Sequence, residues 1–163
     1  MNSLRKIQDV LQKKPIPMGL VYIPSRGATQ EELNETEKNI SRSLPQEIKL
    51  ILNKWNGLHL DIINFFGCGN TEGSINNIEE NQLENYGYEN DLGLLSFADD
   101  PSGYLYLIDE AGQIYSFDLK LNKLDSMANS LDEFICEIVF GPRAKDFAGE
   151  EWMNDLVKSG LIN

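Results

Sequence analysis

The sequence predicts an α+β protein with a mostly antiparallel sheet and helices packed on it. Three observations carry that expectation. Amphipathic helical patterns stand at both ends of the chain with extended segments between them, the order of an α+β fold. The stretch Leu95–Asp118, LSFADDPSGYLYLIDEAGQIYSFD, spells out a turn followed by a β-hairpin. Two capping boxes, Thr29-Gln30-Glu31-Glu32 and Ser130-Leu131-Asp132-Glu133, mark helix starts on either side of it.

Taken in order, the first helix places Leu4, Ile7, Val10 and Leu11 on one face, with Ser3 as its cap and Pro15 and Pro17 beyond its end. Leu20-Val21-Tyr22-Ile23, inside a Pro- and Gly-rich stretch, reads as a strand or an extended arm. Thr29 opens a helix carrying Leu33 and Ile40 among polar residues. Pro45 suits the first turn of the next helix, where its missing N–H is not needed. There Ile48, Ile51, Leu52 and Trp55 follow the i, i+3, i+4, i+7 rule, and Asn56-Gly57 supplies a left-handed terminator.

Leu58–Phe66 then turns extended and reads as one strand, and a short helix is expected near Ile75–Leu83 within the Gly-, Asn- and Glu-rich residues 67–93. In the hairpin region, Asp99-Asp100-Pro101-Ser102-Gly103 carries tight-turn chemistry, because proline presets φ and Asp and Ser bond the local backbone. Tyr104–Ile108 is a strand of aromatic and branched residues, and Asp109-Glu110-Ala111-Gly112 closes it back onto Ile114–Phe117. The return strand puts Tyr115 and Phe117 on one face and Ile114 and Ser116 on the other. Leu119–Met127 adds a turn and a short edge strand. The Ser130 helix has a strong apolar stripe of Leu131, Phe134, Ile135, Ile138 and Val139 and stops at Gly141-Pro142. A last helix over Phe147–Lys158 sets Trp152, Met153, Leu156 and Val157 on one side.

Composition bounds the function. With 163 residues, 41% of them hydrophobic, the chain is expected to form a single domain over residues 1–163. The net charge is −12 and the isoelectric point about 4.4, a field that repels nucleic-acid phosphates and anionic membrane and attracts a basic partner. The same charge also serves solubility alone. Cys68 and Cys136 are far apart and have no zinc-type spacing, the N-terminus lacks a hydrophobic signal core, and no apolar run reaches the roughly 20 residues of a membrane helix. A cytoplasmic protein with reduced thiols and no cofactor is the consistent expectation.

Three pieces stand in a telling order: the capped helix running into Ser43-Leu44-Pro45 with the next helix closed by Trp55-Asn56-Gly57, the turn-strand Phe97–Tyr104 with its hairpin, and the Ser130–Val139 helix. That order resembles the SUKH superfamily, the group of the yeast cell-wall-assembly regulators, over roughly residues 29–140, with the terminal helices as extensions. Gly103 matches the family's glycine, whereas Tyr104 stands where an acidic residue commonly follows. The resemblance implies a central, strongly bent antiparallel sheet and no known catalysis. It also implies one of two roles: an immunity protein that binds and neutralises a toxin, often a nuclease, or a regulatory or scaffold module for an endogenous protein.

Several residues could carry chemistry, and each also has a plainer structural role. Gly67–Gly73 invites a phosphate-loop reading, but the spacing is wrong and no lysine completes it. Cys68 and His59, the one histidine, would have to form any nucleophile–base pair. Asp99, Asp100, Asp109 and Glu110 flank the hairpin and, with Tyr104, are the candidate partner-binding residues; they lack EF-hand spacing for metal. Glu79, Glu80, Glu84 and Glu89 would extend an acidic face, while Trp55 and Trp152 are expected in the core.

Overall fold

Every strand of the sheet is hydrogen-bonded to its neighbour in sequence. The computed structural model describes residues Met1–Asn163. It arranges β1 (Val21–Tyr22), β2 (Leu58–Leu60), β3 (Asn64–Phe65), β4 (Leu95–Asp99), β5 (Tyr104–Ile108), β6 (Ile114–Asp118) and β7 (Lys123–Ala128) in that spatial order. All pairings are antiparallel, so the expected α+β fold with a mostly antiparallel sheet is what forms. The helices are α1 (Asn2–Leu11), α2 (Gln30–Ile40), α3 (Gln46–Lys54), α4 (Leu131–Glu133), which runs on as a π-helix over Phe134–Val139, and α5 (Ala144–Lys158).

The hairpin is the centre of this sheet. In β5, Leu105, Tyr106, Leu107 and Ile108 are all buried, which requires cover on both faces because consecutive side chains alternate sides. On one face Phe134 lies 5.2 Å from Tyr106 and 6.1 Å from Phe97, ring centre to ring centre, and Phe147 lies 5.6 Å from Tyr106. On the other, Leu105 pairs with Phe117, whose ring meets Tyr88 at 4.8 Å. The C-terminal helical segment thus covers one face, and the Gly- and Asn-rich segment covers the other. Leu95–Asp99 ahead of the turn proves to be a full strand, with a register shift between Ser96 and Ala98 that turns Phe97 toward Phe134.

Local capping follows the sequence closely, with two differences. Thr29 forms the complete box: Glu32 N–H donates to Thr29 Oγ1 (3.2 Å) and Thr29 N–H to Glu32 Oε2 (2.8 Å). At α4 the Glu133 amide donates to Ser130 Oγ, but the Glu133 carboxylate reaches one residue further back, to the amide of Asn129. Ser3 does not cap α1. It is buried within the first turn, and the carboxylate of Asp132 takes the amides of Asn2 (3.2 Å) and Ser3 (2.8 Å) across a long sequence gap. Long-range capping of this kind leaves no local pattern to read.

Further departures have local causes. The stretch Leu58–Phe66 is two strands, because Leu60 N–H bonds Ile63 O and folds the chain back at Asp61-Ile62. Helix α3 ends at Lys54 with Trp55 extended, so Gly57, at φ 84°, turns the chain into β2 and does not cap the helix. Pro45 stands just before α3 as its N-cap. The helix expected near Ile75–Leu83 is two short 3-10 turns, Glu79–Asn81 and Leu83–Tyr86. Helix α5 begins earlier than expected and breaks at Ala148-Gly149; Trp152 and Leu156 are buried, while Val157 is exposed.

Two buried amide side chains stand in for missing strand partners. Asn56 accepts from Cys68 N–H and donates to Cys68 O, both at 2.8 Å. Gln82 accepts from Ser96 N–H (3.0 Å) and donates to Ser96 O (2.9 Å), clamping the segment after the 3-10 turn onto β4 next to the register shift. Removing either side chain leaves a buried N–H and C=O without partners.

Asn56→Ala and Gln82→Ala are each expected to lower unfolding free energy by about 2–4 kcal/mol, measured by urea titration. An Asp132→Ala variant should lose about 1 kcal/mol by the same measurement, the usual size of a lost cap. Glu32 is held down to about 2, first by the Arg26 hydrogen bond and then by its capping bonds. A carboxyl depressed on folding stabilises above its unfolded value of about 4.3 and loses that contribution as pH falls through the folded one. Glu32→Gln should therefore flatten the loss of stability between about pH 4.5 and 2, read from Tm across that range.

Candidate functional site

The candidate residues divide between the two ends of β5. Asp99, Asp100 and Tyr104 stand at the β4–β5 turn, and Asp109 and Glu110 at the β5–β6 turn. Four strand steps separate Tyr104 from Ile108, roughly 13 Å at about 3.3 Å per residue. These are two separate acidic surfaces, not one patch.

At the first end the turn consumes most of the carboxylate chemistry. Asp100 Oδ1 accepts from the amides of Ser102 (2.9 Å) and Tyr104 (3.1 Å), and Oδ2 accepts from the Tyr106 hydroxyl at 2.7 Å. Gly103 takes φ 93°, the left-handed geometry that the turn requires. Asp99 accepts from Asn64 Nδ2 at 3.0 Å and Asn76 Nδ2 at 3.4 Å. Burial nevertheless pushes its carboxyl above the usual range, against the Asn64 bond that pulls it down. Tyr104 pairs in register with Asp118, and the carboxylates of Asp118, Asp100 and Asp125 raise its phenol.

Asp118 was not singled out in the sequence. The pairing of Ile108 with Ile114 across the Asp109–Gly112 turn sets Tyr104 opposite it, so hairpin register is the signal that would have found it.

At the second end Asp109 repeats the arrangement. Its Oδ1 accepts from Gln113 N–H (2.9 Å) and its Oδ2 from the Tyr115 hydroxyl (3.2 Å). Glu110 is exposed and, with Asp109, borders a groove of about 430 Å³ whose opposite wall is Ser41–Pro45. Arg42 in that wall bonds Leu94 O and Glu84. Glu84, Glu79 and Glu80 line a second cleft of about 460 Å³ with Asn39 and Arg42, while Glu89 is exposed. Glu79 is partly committed, accepting from Thr36 Oγ1 (2.9 Å) and Asn39 Nδ2 (3.1 Å).

The other chemistry-bearing residues are placed in structural roles. Cys68 is fully buried, and desolvation pushes its thiol up to about 12, far from a thiolate at neutral pH. His59 Nδ1 lies 3.1 Å from Ser74 Oγ. The amides of Gly67 and Cys68 bond Asn76 O and Asn56 Oδ1, so these loop N–H groups do not point at an anion. No group of three or more His, Cys, Asp or Glu is placed to hold a metal ion. Trp55 and Trp152 are both core residues; Trp152 Nε1 donates to Val139 O at 2.8 Å. No helix is long and apolar enough to cross a membrane.

A sequential antiparallel sheet with helices packed on it is an α+β domain. Residues 27–137 match the SMI1 / KNR4 family (SUKH-1), and the chain belongs to that family. Its domains are generally non-catalytic, protein-interacting modules. Among curated proteins, none matches this sequence.

Asp99→Asn is expected to stabilise the protein at neutral pH and to leave it unchanged at about pH 3. A carboxyl raised on folding contributes stability below its unfolded value of about 3.9 and loses it as pH rises through the folded one; the amide does not ionise. Urea midpoints of the two proteins at the two pH values check this.

Proposed function

We propose that this protein is an immunity protein that binds and neutralises a basic toxin domain in the cytoplasm. The observation that carries the proposal is membership of the SUKH-1 family in a chain whose net charge is −12. A toxin that acts on nucleic acid must itself be basic to approach phosphates, so an acidic binder matches it in sign. Charge of this kind acts mainly on the encounter rate and on the exclusion of wrong partners.

Asp99, Asp100 and Tyr104 at one end of β5, and Asp109 and Glu110 at the other, are the residues we propose to meet that partner. The Asp109–Glu110 end has a groove beside it for a protruding side chain. At the Asp99 end, Tyr104 stands opposite Asp118 in the strand register, which sets a carboxylate beside a phenol for an incoming lysine or arginine.

Co-expression with the C-terminal domain of a toxin encoded directly upstream tests the proposal. A tight complex and rescue of growth are expected. Binding measured by stopped flow should show an association rate that falls several-fold between about 50 and 500 mM salt. Asp109→Asn/Glu110→Gln should lower that rate with little change in dissociation. Absence of both complex and protection would sink the reading. Recovery of an endogenous partner with no toxin locus nearby would point to the regulatory or scaffold role instead.

A further inference from the structure

The two edges of the sheet are treated differently. Edge strand β1 is two residues long and is followed at once by Ile23-Pro24, with Pro17 upstream, features that blunt an edge against pairing. Edge strand β7 runs six residues, Lys123–Ala128, without proline. Its irregularity lies at the far end, where the register shifts between Ile114 and Tyr115 of β6. Lys123 through Ser126 are all exposed, so neither helices nor loops cover this edge. In an antiparallel ladder, alternate residues aim their N–H and C=O away from the paired neighbour, so β7 presents an unpaired row of both.

The side chains on that edge are complementary to themselves. Lys123 and Asp125 stand two apart, hence on one face, and form an exposed ion pair at 3.3 Å, with side chains 64% and 51% accessible. Leu124 between them points to the other face and is 36% exposed, with Leu121, 73% exposed, just before the strand. Set two copies of β7 antiparallel about a two-fold axis through Leu124. Lys123 then faces Asp125 of the second copy, Asp125 faces its Lys123, and the two Leu124 side chains meet at the axis. Opposite charges directly across a pair stabilise it, and like charges destabilise it. One residue of slip would set Leu124 against Asp125 and lose both ion pairs.

We propose that β7 is a self-association edge: two copies of this chain pair β7 to β7 with Leu124 on the dyad, joining two sheets into one. The contact is isologous, so it closes at two copies and does not propagate. It uses backbone groups and side chains outside the five candidate partner-binding residues, and it stands whether or not the partner is a toxin.

A single strand pair buries little surface, which places the dimer among weak associations in the micromolar range or above. Sedimentation velocity of the full chain from about 1 to 500 µM covers that regime. The wild type is expected to move from 18.5 kDa toward twice that mass. Asp125→Lys makes both cross-strand pairs repulsive and should raise the dissociation constant about tenfold or more. The swap Lys123→Asp/Asp125→Lys restores complementarity and should return it to near the wild-type value. Leu124→Asp, which leaves Lys123 and Asp125 in place, should also dissociate the dimer. All three substituted side chains are exposed, and circular dichroism confirms folding. A wild type that stays monomeric throughout the range overturns the proposal. So does Asp125→Lys dimerising like the wild type, or a charge swap that fails to recover. If the wild type is monomeric while Asp125→Lys abolishes capture of a foreign extended peptide, the edge belongs to a different partner and self-pairing is excluded.

Discussion

The structure depends on covering β5 from both sides. A strand in which Leu105, Tyr106, Leu107 and Ile108 are all buried cannot sit on a one-layer domain. One cover is helical: Phe134 and Phe147 close over Tyr106, and Phe134 also over Phe97. The other is a segment with little regular structure, and that is where the constraint bites. Irregular backbone laid against a sheet brings polar groups that water cannot reach. Gln82 and Asn56 answer this by bonding the N–H and C=O of Ser96 and Cys68 with one side chain each. Their amides carry a donor and an acceptor side by side, the same pair that a neighbouring strand would offer.

The acidic character of the chain divides into two populations. Asp100 and Asp109 are engaged inside turns, Asp100 accepting from two backbone amides and Asp109 from one, and each from a tyrosine hydroxyl of the adjoining strand. They hold the ends of the hairpin in shape. Glu80, Glu89 and Glu110 extend from that frame with no hydrogen bond or ion pair, and make up part of the field that a partner would meet. A charge that also builds a turn and a charge with no internal partner look alike in composition; only the hydrogen bonds separate them. The same separation applies to Cys68, whose burial against Asn56 removes it from chemistry and gives it a place in the core.

Local physics made much of this fold legible. Thr29 and Ser130 announce their helices because a cap and its target lie three residues apart. The turns at Pro101–Gly103 and Asp109–Gly112 are set by residues within the turns themselves. The helix face Ile48-Ile51-Leu52 is buried as its periodicity requires, and Trp55 just past the helix end and the stripe Leu131-Phe134-Ile135-Ile138-Val139 are buried with it. One departure is local, the Leu60–Ile63 reversal that splits an apparently continuous strand; others come from distant partners, as where Asp132 displaces Ser3 as the cap of α1. Segment 67–93 takes its shape from bonds to Asn56 and Ser96 more than from its own propensity.

By itself the sequence determined the α+β class, the central hairpin, the helix starts and the family, because these rest on contacts within a few residues or on the order of such motifs. Tertiary structure alone decided that β1 pairs with β2 across two intervening helices and that β3 pairs with β4 across residues 67–93. It also decided that β7 is left open while β1 is blunted. Each of these is a matter of which strand lies beside which, and a pairing between residues far apart in the chain leaves no trace in either of them separately.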